Sequence, residues 1–159
     1  MNNITLTVNK ANVYTEVAKT TSYAGAKMQG DEGAYEQIFT TDADRMMLER
    51  FWAEASNAVT GRLKEYIVSV ASYPESHGVE LDRNYEVELK LSSLFDTTLT
   101  NSISSSLFSF FVYYIVGKWF GFVNKAEAPT YIADAAAQLD DVIRKLHHRV
   151  RPTRNSNFM

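Results

Sequence analysis

Residues 107–123 read LFSFFVYYIVG followed by KWFGFV, and this run decides the class of the fold. A helix that spans a membrane needs about 20 mostly apolar residues. Here Lys118 interrupts the run after eleven residues, serines lie directly upstream, and many of the apolar side chains are aromatic. Runs of this length are more typical of a helix buried in a protein core. The sequence therefore predicts a core helix over Leu107–Val123 and no membrane segment.

A long amphipathic helix is predicted upstream, over Thr41–Ala71, because apolar residues recur there at steps of three and four. Thr41 with Asp44 three positions later is typical of a helix N-terminus. Pro74 ends the pattern, since proline cannot continue a helix. At 1.5 Å per residue such a helix spans the whole of a domain of this size.

The last predicted helix covers Pro129–His148, downstream of the aromatic run. Pro129 suits a first helical turn, and Pro152 terminates the pattern. Pairs of acid and base four residues apart support a helix modestly when the acid comes first. Two such pairs occur here: Asp140 with Arg144, and Asp141 with Lys145.

Two segments alternate apolar and polar residues, which is the period of a β-strand. Arg83–Ser92 is the clearer one and should have one buried and one wet face, as in antiparallel sheets. Ile4–Val8 is a shorter one, and Ala11–Thr20 after it fits a short helix. The partner of the 83–92 strand is the N-terminal strand, an unrecognised strand, or a strand of another subunit.

Together these elements predict a mainly α fold, a helical bundle of three long helices with a small attached antiparallel β element. A chain of 159 residues is most simply one domain. We expect residues 1–152 to form this single mostly helical domain and residues 153–159 to be a flexible C-terminal tail. Four aromatic residues in the apolar stripes should be buried: Phe51, Trp52, Phe111 and Trp119.

No pattern of residues announces catalysis, a metal site or a cofactor. The chain has no cysteine, which excludes disulfides and thiolate chemistry. Gly25–Gly30 has the glycine spacing of a phosphate loop, but two acids follow where the loop needs Lys and Ser or Thr. His147 and His148 are adjacent on a helix, so they diverge and cannot hold one metal.

One enzymatic alternative uses carboxylates of the helix that begins at Thr41. Asp42, Asp44 and Glu49 would have to work in a pocket for this to hold. Their expected place on the capped, solvated side of the helix argues against it. We therefore predict no catalytic residue, no metal and no cofactor.

The last 18 residues contain five basic residues and no acidic one, whereas the first 141 carry a net charge of −8. Without a local anion, such an end is expected to meet something negative: nucleic acid, an acidic protein surface, or the acidic body of a neighbouring copy. The candidate binding residues are Arg144, Lys145, Arg149, Arg151 and Arg154.

The order of these parts resembles the small head–tail connector proteins of tailed bacteriophages. The resemblance covers Thr41 to Pro152 and rests on three features. They are the acid-capped long helix, an apolar helix with Gly117-Lys118-Trp119-Phe120, and a final helix that closes with Arg149-Val150-Arg151-Pro152. The two predicted strands depart from a purely helical connector, so connector, completion protein and stopper all stay open.

The resemblance implies a virion structural protein without catalytic activity, assembled in the cytoplasm of the host bacterium. Copies of such a protein, commonly twelve, form a ring below the portal, through which DNA passes. The portal protein, the neighbouring neck and tail proteins and the passing DNA are the implied partners. The alternative function is a small soluble nucleic-acid-binding or protein-interaction module that uses the basic tail. The overall acidic charge argues against nucleic acid as the target, since such binders usually carry a basic face on the body as well.

Overall fold

The computed structural model describes residues 2–27, 45–71 and 84–151. The mainly α fold with a small antiparallel sheet is confirmed, although the described part contains four helices where three long ones were predicted. In chain order the elements are β1 (Asn2–Val8), α1 (Lys10–Lys27), α2 (Arg45–Leu63), β2 (Ile67–Ala71), β3 (Tyr85–Leu91), a 3-10 turn (Thr97–Leu99), α3 (Thr100–Val123) and α4 (Ala128–Leu146).

The sheet has the strand order β1–β3–β2, with β3 antiparallel to both neighbours. The register places Asn2 opposite Leu91 and Val8 opposite Tyr85. Alternate side chains of β1 and β3 are buried and the others face outward, as the period of two predicts. The predicted strand at 83–92 is therefore confirmed, and it pairs with both the N-terminal strand and an unrecognised one.

That unrecognised strand is β2, and the prediction of helix as far as Ala71 is wrong. Helix α2 ends at Leu63, and Ile67–Ala71 pairs with β3. Ile and Val are β-branched and fit a pleated surface better than a helix. The ladder is irregular between Ile67 and Ser69, which leaves Val68 54% exposed. The predicted N-terminal cap of this helix, residues 41–44, lies outside the described residues.

Helix α3 forms the centre of the core. It has 24 residues, about 36 Å, and eleven of them are buried. All four aromatic residues predicted to be buried are so, and Trp52 and Phe111 are in direct contact with ring centroids 4.6 Å apart. Among the described residues, Thr97–Val123 is the one helical stretch long and apolar enough to cross a membrane, and 56% of its most apolar window is buried.

Helix α4 covers one side of α3 with a single apolar stripe, Ala135, Leu139, Val142 and Leu146. The first turn contains Pro129, as predicted, but the helix ends at Leu146 rather than at His148. The two helices approach each other closely at Gly117. A Cβ atom there would lie 2.6 Å from Cδ1 of Ile132, so the glycine of the GKWF segment makes room for α4.

Helix α1 runs to Lys27 and is longer than the predicted Ala11–Thr20. It begins two residues after β1, so α1 and β1 enter the core together. The backbone N–H of Lys10 donates to Oδ1 of Asn84, 3.0 Å away, which links the start of α1 to the residue preceding β3. The described part thus has one continuous core, and the single domain over residues 1–152 stays a prediction. Residues 153–159 lie outside the described part.

Candidate functional site: the basic C-terminal end

Two of the five candidate cations are held by an anion of their own helix. Lys145 Nζ lies 2.5 Å from Oδ2 of Asp141, and the Arg144 guanidinium contacts the other oxygen of the same carboxylate. Residues three and four apart share one helix face, which explains the shared partner. The expectation that all five cations lack a local anion is therefore wrong for Arg144 and Lys145. The Asp141–Lys145 pair is confirmed, whereas Asp140 pairs with Arg62 of α2 at 2.9 Å.

The Asp141 carboxylate also joins α4 to α3. Ser106 is buried, and its hydroxyl donates to Asp141 Oδ2 over 2.7 Å, while Lys145 Nζ donates to Ser106 Oγ over 3.1 Å. The hydrogen bond from Lys145 lowers the pKa of Asp141; partial burial opposes this, and Ser106 and Arg144 add to the lowering. A serine activated by lysine needs a neutral amine to take its proton. Here the Lys145 amine is ion-paired with Asp141, and the Ser106 hydroxyl already donates to the same carboxylate. The three side chains therefore link α3 to α4.

The chain beyond α4 is attached to the body. Arg149 forms an antiparallel β-bridge with Phe95, and the N–H of Val150 donates to the carbonyl oxygen of Leu94 over 2.8 Å. The guanidinium of Arg149 donates to the carbonyl oxygen of Leu146 over 3.0 Å, which satisfies a free carbonyl at the end of α4. Val150 therefore leaves the body at a defined position.

What this attachment exposes is an aliphatic pair flanked by cations. Leu94 is 53% exposed and Val150 is 48% exposed. Arg149 and Arg151 lie exposed on either side of Val150 in the chain. We refer to Leu94, Arg149, Val150 and Arg151 as the basic end. Arg154 lies outside the described residues.

The two histidines beside the basic end have different neighbours, but they lie beyond the end of α4 and not on a helix as predicted. His147 Nε2 lies 2.6 Å from the Tyr66 hydroxyl oxygen, which ties the end of α4 to the residue before β2. His148 lies near the exposed carboxyl of Asp96. Hydrogen bonds from the Thr98 hydroxyl and N–H are the main cause that lowers the pKa of Asp96, and the charge of His148 adds a little to the lowering. In the described ranges no group of three or more His, Asp or Glu could hold a metal ion.

The carboxylate expected on a solvated helix face, Glu49, is partly buried, so that expectation is wrong. Lys10 Nζ lies 2.5 Å from Glu49 Oε2, and the Tyr14 hydroxyl donates to Oε1 over 2.8 Å. The Lys10 side chain is only 4% exposed and also lies over the rings of Tyr14 and Trp52. Because Lys10 and Glu49 are 39 residues apart, no local sequence pattern indicates this cluster. Asp42 and Asp44 lie outside the described residues.

The charge changes sign along α4, from acidic at its start to basic at its end. Residues 126–143 contain four acids and no base, and residues 144–154 contain five bases and no acid. The acids on the outer side of α4 include the exposed Glu127, Asp134 and Asp140. An open groove of about 600 Å³ runs along this side, lined by Ala137, Gln138, Asp140, Asp141 and Arg144.

The described part as a whole is not acidic. It contains 14 Lys and Arg and 11 Asp and Glu, a net charge of +3. The acidic balance of the chain comes from residues 28–44 and 72–83, which carry eight acids and one base. Without the four cations of residues 142–151, the described part has 10 Lys and Arg and 11 Asp and Glu, a net charge of −1, so the described body is nearly neutral rather than strongly acidic.

Comparison with known proteins gives no identification: no protein-family model matches the chain, and no curated protein and no solved structure is significantly similar to it.

Proposed function

We propose that the protein is a non-catalytic structural subunit of the head–tail connector of a tailed bacteriophage. In this proposal it assembles into a ring with copies of itself, docks to the portal protein and neighbouring neck proteins, and surrounds the path of the DNA. Its place is then the virion, after assembly in the cytoplasm of the host. The proposal is supported by the order of the helices in the sequence and by the polar side chains, which are exposed at the basic end and link helices within the body.

The observation that carries the proposal is the basic end. Its backbone is fixed by the bridge between Arg149 and Phe95, yet its aliphatic and cationic side chains remain exposed. Exposed aliphatic residues beside exposed charges are typical of contact surfaces, where an apolar centre is surrounded by a polar rim. A terminal segment that is attached but uncovered suits a subunit that presents it to a partner.

The internal polar clusters support a structural role for the body. Lys10 with Glu49 links α1 to α2, and Ser106 with Asp141 links α3 to α4. Each cluster joins two helices and uses its charged groups for that purpose. Partly buried polar networks of this kind make the helix packing rigid, which suits a structural subunit.

The alternative is a small module that binds nucleic acid or protein through the same basic end. Many cations of the described body are engaged by carboxylates, as are Lys10, Arg50, Arg62 and Lys118. Nucleic-acid binding usually relies on several unpaired cations along one face. This pairing favours a protein partner over nucleic acid.

The test is the mass and shape of the particle formed by the purified protein, with and without a portal protein, at about 0.1 M salt. We expect a closed ring in electron micrographs and a mass of several subunits by light scattering. Reversal of Arg149, Arg151 and Arg154 to Glu should weaken portal docking. The matched control changes three lysines outside the basic end, Lys64, Lys90 and Lys125, to Glu, so that the net charge changes by the same amount. A monomer that ignores the portal would overturn the proposal, and retention only by duplex DNA would favour the alternative.

A further inference from the structure

We propose that the basic end of one copy docks on the outer side of α4 of a second copy, so that successive copies join head to tail. This inference rests on the proposed function, because it names the surfaces that would build the ring. It follows from two exposed surfaces of opposite charge in the same chain, one on α4 and one on the segment that follows α4.

The receiving surface is the outer side of α4. Three exposed alanines, Ala133, Ala136 and Ala137, lie on the side opposite to the buried stripe. Asp134 and Asp140 border them, and the groove described above runs past Ala137. Acids in the first turn of a helix balance its dipole, but Asp134 and Asp140 lie beyond that turn. Asp140 is already paired with Arg62 of α2, whereas the exposed Asp134 has no ion pair among the described residues. Asp134 is therefore the acid of this surface that a second copy can engage.

The docking surface is the basic end. Leu94 and Val150 offer two aliphatic side chains that fit a flat alanine surface, and Arg149 and Arg151 bring positive charge to either side. The two bases beside the receiving surface are each paired with an acid, Arg144 with Asp141 and Arg62 with Asp140. Complementary charge steers two such surfaces together and fixes their register.

The contact cannot form within one chain. From Asp134 to Leu146 the helix rises about 18 Å, so the basic end starts well away from the alanine side. The bridge between Arg149 and Phe95 then fixes the basic end to the segment that precedes α3. Each copy thus has one docking and one receiving surface free for neighbours. Contacts between two different surfaces close into rings when the rotation allows it, and otherwise grow into filaments.

The test is a charge-reversal exchange with Asp134→Lys and Arg151→Glu. Each variant alone repeats one repulsive contact at every interface, and we expect self-association about tenfold weaker, read by light scattering at about 0.1 M salt. An equimolar mixture can alternate matched contacts: Glu at 151 meets Lys at 134, and Arg at 151 meets Asp at 134. The mixture and the double variant should therefore recover most of the wild-type mass.

The control is Glu86→Lys, which reverses an exposed carboxylate on the outer face of the sheet. Glu86→Lys alone should not weaken assembly. Combined with Arg151→Glu, it should not restore the assembly that Arg151→Glu loses. A second pair tests the aliphatic part: Leu94→Ser should weaken self-association several-fold, whereas Val68→Ser, at nearly the same exposure, should not.

The outcomes separate the two proposals. If wild type assembles and the reversals change nothing, or the mixture fails to recover, the docking assigned to α4 is wrong and the ring uses other surfaces. If wild type stays monomeric at low salt and with a portal, both the ring and its interface are overturned.

Discussion

Helices α3 and α4 pack against each other over most of their length, yet they divide the work of the molecule differently. Helix α3 has a single charged residue, Lys118, among 24, and eleven of its residues are buried. Helix α4 has five charged residues among 19 and buries one stripe. A helix that is apolar on nearly all sides belongs to the interior, and one with a single stripe has a side left for other contacts.

The side chains of α3 therefore serve mainly the core, whereas α4 has an outer side that serves other contacts. Substitutions should cost most at the centre of α3, less at the junction of the two helices, and least on the outer side of α4. The outer side should instead govern assembly. Four predictions test this gradient.

The largest effect is expected for Phe111→Ala at the centre of α3. The ring is fully buried between Trp52 and Tyr85, with centroids 4.6 and 5.5 Å away. Removing a buried Phe side chain leaves a cavity that costs about 3–5 kcal/mol. Urea unfolding should show this loss, whereas Ile132→Ala on α4, where 38% is already exposed, should cost well under half as much. Equal losses would mean that α3 is not the centre of the core.

The next effect concerns the contact between the helices. Gly117→Ala places a methyl group against Ile132, so we expect a loss of about 1–3 kcal/mol from the forced shift. Gly121 lies one turn later with nothing within 4 Å of an added Cβ, so Gly121→Ala should stabilise by about 0.5–1 kcal/mol. Thermal melts of both variants check this. The same sign for both would contradict the close approach at Gly117.

Asp141→Asn should cost about 1–2 kcal/mol at neutral pH, because the carboxylate accepts hydrogen bonds from Ser106, Arg144 and Lys145. The folded state lowers the pKa of Asp141, so its contribution is full above the unfolded pKa of about 3.9 and disappears as pH falls through the lower folded value. Stability measured against pH should therefore show wild type and variant converging below about pH 4. A constant difference down to pH 2 would exclude this cause.

The smallest effect on folding is expected for Asp134→Lys. The side chain is exposed on the outer side of α4, where substitutions stay within about 0.5 kcal/mol. Unfolding should be followed at about 1 M salt, which screens the contacts between copies. A large loss there would mean that Asp134 stabilises the subunit itself, and its effect on assembly would then need another reading.

The sequence predicts the elements whose pattern is local. The alternation in 83–92 and the stripe of 129–148 each repeat over enough residues to give one answer, and both are confirmed. Residues 67–71 do not, because a short apolar run suits either a helix or a strand. Pairing with β3 decides it, and β3 lies about fifteen residues further along the chain.

The site was harder to predict for the same reason. The basic residues can be counted in the sequence, but their partners cannot be read from it. Arg144 and Lys145 contact Asp141, which lies one helical turn earlier in α4. Arg149 pairs with a segment that is distant in the sequence. Nothing near Arg149 in the sequence points to Phe95, 54 residues earlier. The buried pair of Lys10 and Glu49 has no local signal either. Ionic contacts at long separation follow from packing, which composition and spacing do not encode.

The bridge between Phe95 and Arg149 has a consequence for how the molecule opens. It joins the segment before α3 to the segment after α4, so the two helices form a loop whose ends are tied together. The N–H of Val150, bonded to Leu94, can exchange its hydrogen for deuterium only when that tie opens. If the helix pair unfolds as one cooperative unit, this amide should exchange at the rate of the amides in the middle of α4. A faster rate would show that the chain end detaches alone, which is the motion a partner would have to suppress when it binds there.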